Sequence, residues 1–271
     1  MDLREAIAGC STGQVEGLSQ QIIDRLLKKG FLAPLKHELI ICSGRQNNPY
    51  LQPLAVRSLI KAVESANSKL IINSCLRTVP QQYMLYQQYL NKICGITAAA
   101  LPGRSNHQSG LAIDVTDYKY WKPILERHGW RWLGNWDRWH FDYTHGSNLG
   151  LGSIQIEEFQ QLWNENNPND LLKVDGIWGD ATANAVAVSP ANGFRSFPIF
   201  KKGDISKEVG RLQIALRKAL DLDADRLIAD CQYGSQTFKA VALFQKKYGL
   251  KVDGIAGRET LSKLKEILAT N

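Results

Sequence analysis

In the stretch "SNHQSGLAIDV", residues 105–115, His107 and Asp114 stand seven positions apart around a glycine, just ahead of a short apolar run. On an α-helix seven residues rise about 10.5 Å. That is too far for both side chains to hold one ion, so joint action requires the stretch to bend. Read as a loop feeding the strand "LAIDV", side-chain alternation puts Gly110, Ala112 and Asp114 on one face and Leu111, Ile113 and Val115 on the other. Asp114 then projects from a face whose near neighbours have almost no side chain. There is room for an ion, and the loop can fold His107 back toward it.

A third ligand is expected from a neighbouring strand. In "DRWHFDY" alternation places Trp139, Phe141 and Tyr143 on a buried face and His140 and Asp142 on the other. Two imidazoles and one carboxylate are the donor set of a catalytic zinc site, which keeps a position for water and lowers that water's pKa toward about 7. Asp137, three residues before His140, is the candidate base. Its ordinary pKa of about 3.9 makes it weak, so nearby negative charge or desolvation must raise it. Asp142, sharing the face of His140, could be confused with that base but is read as a hydrogen-bonding support for the ligand imidazole. His37, His128 and His145 are read as non-catalytic. Four of the seven tryptophans fall within residues 130–139 and are expected as core or cleft wall.

Several elements must position these groups. "VEGLSQQIIDRLLKK" lines Leu18, Ile22, Ile23, Leu26 and Leu27 along one helical face and stops at Gly30. "PLAVRSLIKAVESAN" reads as a second helix. "KLIINSCLRT" reads as a buried strand, followed by the helix "QQYMLYQQYLNKI" with a threonine cap and an early proline. "YKYWKPILERHG" is a further helix, and "WRWLGNWDRWHFDY" a hairpin of aromatic-rich strands. Up to about residue 150 the fold class is α+β, a small antiparallel sheet flanked by helices. After "GSNLGLGS" the character changes, and Asp175, Asp230 and Asp253 each open D-x-x-x-G-x-x-T, with helices before and after. Three identical spacings mark a small all-α repeat module. Two domains are therefore expected, 1–150 and 151–271, the second with a partial repeat at 154–190 and a full one at 197–271.

Composition limits the classes available. At 271 residues, 44% hydrophobic and 22% charged, the chain is folded, soluble protein without a membrane span. "IAGC" at Cys10 resembles the end of a lipoprotein signal, but nine residues leave no room for one, so no signal peptide is recognised. The net charge of +7 is concentrated in residues 1–152, which hold 17 Lys and Arg against 11 Asp and Glu. No basic run is interleaved with aromatics, so nucleic acid is not an expected partner. Five cysteines without a C-x-x-C pair argue against a disulfide framework and for buried free thiols in a reducing compartment.

The pattern S-x-H-x-x-G-x-A-x-D followed by D-x-x-H-F resembles the zinc D-alanyl-D-alanine carboxypeptidases and L-alanyl-D-glutamate endopeptidases of bacterial cell walls and phage endolysins. Ser105, His107, Gly110, Ala112, Asp114, Asp137, His140 and Phe141 all match it. The resemblance is clearest over residues 35–150 and leaves residues 1–34 unplaced. It implies zinc held by His107, Asp114 and His140, with Asp137 as the catalytic base. It further implies Arg77, in "SCLRTVPQQYMLY", as the catalytic group that holds the substrate's carboxylate or the developing oxyanion, and Ser105 as a substrate-binding residue. Many of the carboxypeptidases carry glutamate where this chain has Asp137, and aspartate is more typical of the endopeptidases. The tail resembles the helical peptidoglycan-binding module. Together these imply a monomeric enzyme acting on peptidoglycan at the cell wall, most similar to the carboxypeptidases, with the endopeptidase as alternative. A wall-binding protein without activity, and a nucleic-acid binder, are the readings from other classes.

Overall fold

The computed structural model describes residues 1–44, 46–145, 149–194 and 199–270. Residues 197, 198 and 271 of the expected full repeat lie outside the described residues. The chain forms two compact units, Met1–Phe194 and Arg195–Asn271.

In the first unit a five-stranded sheet runs β2-β4-β5-β7-β6, built from β2 (Ile40–Cys42), β4 (Leu70–Ser74), β5 (Ala112–Val115), β6 (Trp130–Trp132) and β7 (His140–Tyr143). All pairs are antiparallel except β2 with β4, which run parallel. The sheet is therefore mixed, because the helix between β2 and β4 returns the chain in the same direction. A small pair, β1 (Ala33–Pro34) with β3 (Tyr50–Leu51), lies outside it. One face of the large sheet packs Leu70, Ile72, Ile113, Val115 and Phe141 against α3 (Pro53–Ala66) and α5 (Tyr118–Arg127). Alternation then sends Asp114 and His140 to the opposite face.

A second core holds α1 (Leu3–Ala6), α2 (Glu16–Lys28), α4 (Val79–Leu90), α6 (Leu151–Asn166) and α7 (Asp180–Val188). Leu3, Leu18, Ile22, Ile23 and Leu26 pack there with Val79, Met84, Leu151, Phe159, Leu162 and Val186. Residues 1–34, which sequence reading left unplaced, thus contribute α1 and α2 to a helical layer completed by α4 and by the helices that follow residue 150. For the same reason the compact unit ends at Phe194 and not at the change of character near residue 150. An apolar helix face cannot be left in water, and α6 buries its own against α2 and α4.

The thiol expectation needs correction. Cys10 and Cys94, 84 residues apart, form a disulfide, while Cys42, Cys75 and Cys231 are free. The pairing carries no spacing motif because tertiary packing makes it. Gln88 near the end of α4 donates to the Ile7 carbonyl (3.0 Å), bringing the turn after α4 beside Cys10. A disulfide is at home in an oxidising environment, so the expectation of a reducing compartment loses its basis.

The second unit contains α8 (Lys207–Leu220), α9 (Ser235–Lys247) and α10 (Arg258–Thr270) around Val209, Leu216, Tyr233, Val241, Phe244 and Ala256. Its repeat is organised by buried glutamines. The Gln245 amide donates to Asp253 Oδ1, the Ile255 carbonyl and Thr260 Oγ1, and its oxygen accepts from the Asp253 and Gly254 amides. Gln213 makes the corresponding bonds to Asp230, Gln232, Thr237 and Cys231. In the first unit Gln160 does so to Asp175, Ile177, Thr182 and Gly176. The D-x-x-x-G-x-x-T spacing is the loop each glutamine grips. The residue after the aspartate is left-handed in every copy, φ +67 at Gly176, +63 at Cys231 and +65 at Gly254. Glycine adopts this freely, whereas a side chain costs about 1–2 kcal/mol.

Candidate metal centre

Strand register assembles the site. Asp114 on β5 lies directly opposite His140 on β7, and Ala112 opposite Asp142, so the small alanine leaves space beside the carboxylate. On its other side Asp114 pairs with Ser74 at the end of β4. His107 reaches the same place from a tight turn in which the Gly110 amide donates to the His107 carbonyl (3.3 Å). Gly110 sits at φ +67, and an added Cβ would lie 3.3 Å from both Leu151 and Leu32. The bend that joint action of His107 and Asp114 requires is therefore made by this turn and its glycine.

His107 Nε2 lies 3.3 Å from Asp114 Oδ2, and His140 Nδ1 lies 3.1 Å from Asp114 Oδ1. One donor atom from each of the three residues falls within 4.8 Å of the others. Ligands about 2.0–2.1 Å from a tetrahedral zinc stand about 3.4 Å from each other, so the donor set fits such an ion. The outer nitrogens settle which lone pairs face inward. His107 Nδ1 is 2.8 Å from the Cys75 carbonyl, which can only accept, so this nitrogen carries the hydrogen. His140 Nε2 is 2.9 Å from Asp142 Oδ1 and donates to it likewise. Both rings thus turn their other nitrogen toward the centre, where it becomes an acceptor for an ion once it gives up any proton it holds. Asp142 is in turn held by the Asn106 amide (2.9 Å) and, more loosely, by Arg131 (3.4 Å).

The electrostatics follow. Burial opposes ionisation of Asp114, but hydrogen bonds from the two imidazoles win and hold its carboxyl well below the usual carboxylate range. Burial also opposes a charged His140, but Asp114 and Asp142 overcome it and push its pKa up to about 9. His107 goes the other way, lowered by burial and by the Arg77 charge. Asp137 is raised, first by desolvation and then by the negative charge of Asp114. These are the two influences a basic aspartate needs. Its Oδ2 stands 4.0 Å from His140 Nδ1.

A cleft of about 240 Å³ opens beside the centre, lined by Asn73, Asp114, Thr116, Asp137 and Trp139. Trp139 was expected on the buried face of its strand. It precedes β7 and is half-exposed, because it forms the cleft wall, with the Tyr118 ring edge-on at 5.4 Å. Trp136 is 77% exposed, so it is neither core nor wall. Arg77 lies three residues beyond β4, where its amide donates to the His107 carbonyl (3.1 Å) and its guanidinium to Gln82 (3.1 Å). Ser105 is buried in the turn ahead of His107, its carbonyl accepting from the Gln108 amide, and is not among the residues lining the cleft. His37 faces Glu64 (3.5 Å), and His128 Nδ1 donates to the Ile124 carbonyl (2.8 Å). Asn106, Asn73, Thr116 and the Cys75 carbonyl were missed. Only Asn106, adjacent to His107, carried a sequence signal.

Two segments of the chain match models of known families. Residues 51–144 match the family model of D-alanyl-D-alanine carboxypeptidase, and residues 206–264 that of the peptidoglycan binding domain. The N-acetylmuramoyl-L-alanine amidase CwlM of Mycobacterium tuberculosis is 34% identical over 134 residues, which cover 49% of this chain and 32% of that protein. The N-acetylmuramoyl-L-alanine amidase CwlL of Bacillus licheniformis is 38% identical over 115 residues, covering 36% and 32%. The chain thus spans about a third of the length of these curated relatives. No helix among the described residues is long and apolar enough to cross a membrane. Residues 51–144 are thus similar to the D-alanyl-D-alanine carboxypeptidases, and residues 206–264 to peptidoglycan-binding domains.

Proposed function

We propose that the protein is a zinc peptidase that hydrolyses the stem peptides of peptidoglycan, its C-terminal module raising the local concentration of substrate. The single observation that supports this most is the meeting of His107 Nε2, Asp114 and His140 Nδ1 beside an open cleft walled by Asp137. Zinc held by those three residues would supply Lewis acidity and a readily deprotonated water. Asp137, with its raised pKa, takes the proton of the attacking water and passes it to the leaving amine. Arg77 holds the peptide's carboxylate or the oxyanion that develops on the scissile carbonyl, a task for a fixed, permanently charged fork. Asp142 keeps the hydrogen of His140 on the outer nitrogen. The enzyme works as a monomer at the cell wall.

The bond named by the matched family is D-Ala-D-Ala, and we take it as the first assignment. Asp137, where many such carboxypeptidases carry glutamate, favours the L-Ala-D-Glu bond as the second. Mass spectrometry of defined muropeptides, digested with and without a chelator, separates them. Loss of one terminal alanine identifies the carboxypeptidase, and release of the stem below its first residue the endopeptidase. Release of the whole stem from muramic acid, the reaction named for the relatives, would overturn the reading. So would an absence of products together with substoichiometric zinc, which identifies a binding protein without activity.

A further inference from the structure

Residues 145–205 lie between the two matched domains, yet α6 reaches the active site. The Gln155 side chain is fully buried. Its oxygen accepts from the Val79 amide (3.1 Å), in the first turn of α4, where helix amides lack an internal partner. Its nitrogen donates to the carbonyls of Arg77 (3.2 Å) and Gln108 (2.7 Å). One carboxamide therefore ties the backbone of Arg77 to the residue next to His107. The same two segments meet directly where the Arg77 amide donates to the His107 carbonyl (3.1 Å).

The approach of α6 is shaped for this contact. A Cβ on Gly152 would stand 2.5 Å from the Gly103 carbonyl oxygen, and one on Gly103, at φ +87, would stand 2.7 Å from Ile156 Cδ1. The Gly103 amide donates to Gln108 Oε1 (2.7 Å). Two glycines thus let the helix press against the loop that leads into His107, and Gln155 occupies the contact. The bonding needs one acceptor and two donors on a single planar group, which the amide supplies. Glutamate would turn a carboxylate on two carbonyls, and methionine would fill the space without either function.

We propose that Gln155 is a positioning residue for the reaction. It holds the Arg77 segment and the His107 turn in register, although it lies outside both matched domains. What the positioned groups do rests on the zinc peptidase reading; the clamp itself does not.

The test compares Gln155→Met and Gln155→Glu with Leu162→Ala, a buried truncation in the same core, seven residues along α6 from Gln155, whose apolar side chain takes part in none of these hydrogen bonds. Three quantities are read well below the melting temperature of each variant. They are amide hydrogen exchange at Arg77 in metal-free protein, zinc affinity by chelator competition, and kcat/KM on a defined stem peptide. Both Gln155 variants are expected to exchange the Arg77 amide at least tenfold faster, to bind zinc severalfold more weakly, and to lose at least tenfold in kcat/KM. Leu162→Ala is expected to stay within twofold of the wild type in all three. Unchanged exchange and zinc affinity in the Gln155 variants, or equal losses in Leu162→Ala, overturn the proposal. If exchange and zinc affinity respond as expected while wild-type protein cuts no stem peptide, the clamp stands and the peptidase reading fails.

Discussion

Replacing Asp142 by asparagine keeps the shape of the group behind His140 and removes its charge. The Asp142 carboxylate is buried, accepts from His140 Nε2 at 2.9 Å and from Asn106 at 2.9 Å, and meets Arg131 only at 3.4 Å from a largely exposed side chain. The variant's amide oxygen can keep both short contacts while its nitrogen turns toward the exposed Arg131. A hydrogen bond to a charged partner contributes about 1.5–3 kcal/mol, a neutral one about 1 kcal/mol. The change therefore weakens the hold on the imidazole by about 1–2 kcal/mol, and at about 1.4 kcal/mol per factor of ten the zinc Kd should rise roughly 5- to 30-fold. Asp142→Ala, which leaves the ring nitrogen without its acceptor, should cost more. Competition against a chromophoric chelator at fixed pH measures both Kd values, and the melting temperature without metal confirms that the fold persists. Zinc affinity within twofold of wild type in both variants would mean that Asp142 does not orient a ligand, and that the assignment of His140 Nδ1 to the metal is wrong.

Asp137→Asn should lower kcat by roughly 10²- to 10⁴-fold, with zinc still bound at full stoichiometry by metal analysis. Because the pKa of His140 is raised to about 9 in the metal-free protein, zinc must displace its proton at neutral pH. Affinity should therefore climb close to tenfold per pH unit as pH rises toward 9 and level off above it. The same shift stabilises the metal-free fold by at most about 3 kcal/mol below pH 6.5, and this is lost as pH rises through about 9, which urea titrations across that range will show. The Cys10–Cys94 disulfide closes a loop of 84 residues, so Cys10→Ser should lower stability in urea unfolding by about 2–4 kcal/mol. Cys231→Gly relieves the one left-handed non-glycine among the three equivalent turns and should stabilise the C-terminal module by about 1 kcal/mol, read from its melting transition.

Much of the centre was legible because strand alternation is a strong local constraint. Once "LAIDV" and "WHFDY" are strands, Asp114 and His140 must share a face, and their pairing across β5 and β7 needs only the register found. The helices α2 to α5 were readable from apolar spacing and from Thr78, Pro80 and Gly30. Groups that act through one buried amide were not legible. Nothing about Gln155, Gln160, Gln213 or Gln245 differs locally from a surface glutamine, and their partners lie 8 to 78 residues away. The Cys10–Cys94 pairing and the packing of residues 1–34 against α6 and α7 have the same origin in long-range contact. Trp139 departs from its expected face because β7 begins one residue later, at His140, and the tryptophan is freed to line the cleft.

The central claim is that one divalent ion, gripped by His107, Asp114 and His140, makes this chain a hydrolase of wall peptides. It is tested most directly by measuring zinc per chain and muropeptide cleavage together in wild type, Asp114→Ala and chelator-treated protein. One zinc per chain in the wild type is predicted, with stem-peptide cleavage that disappears alongside the metal in the other two and returns to the chelated wild type when zinc is restored. Stoichiometric zinc in Asp114→Ala, or cleavage that survives complete removal of the metal, would contradict it.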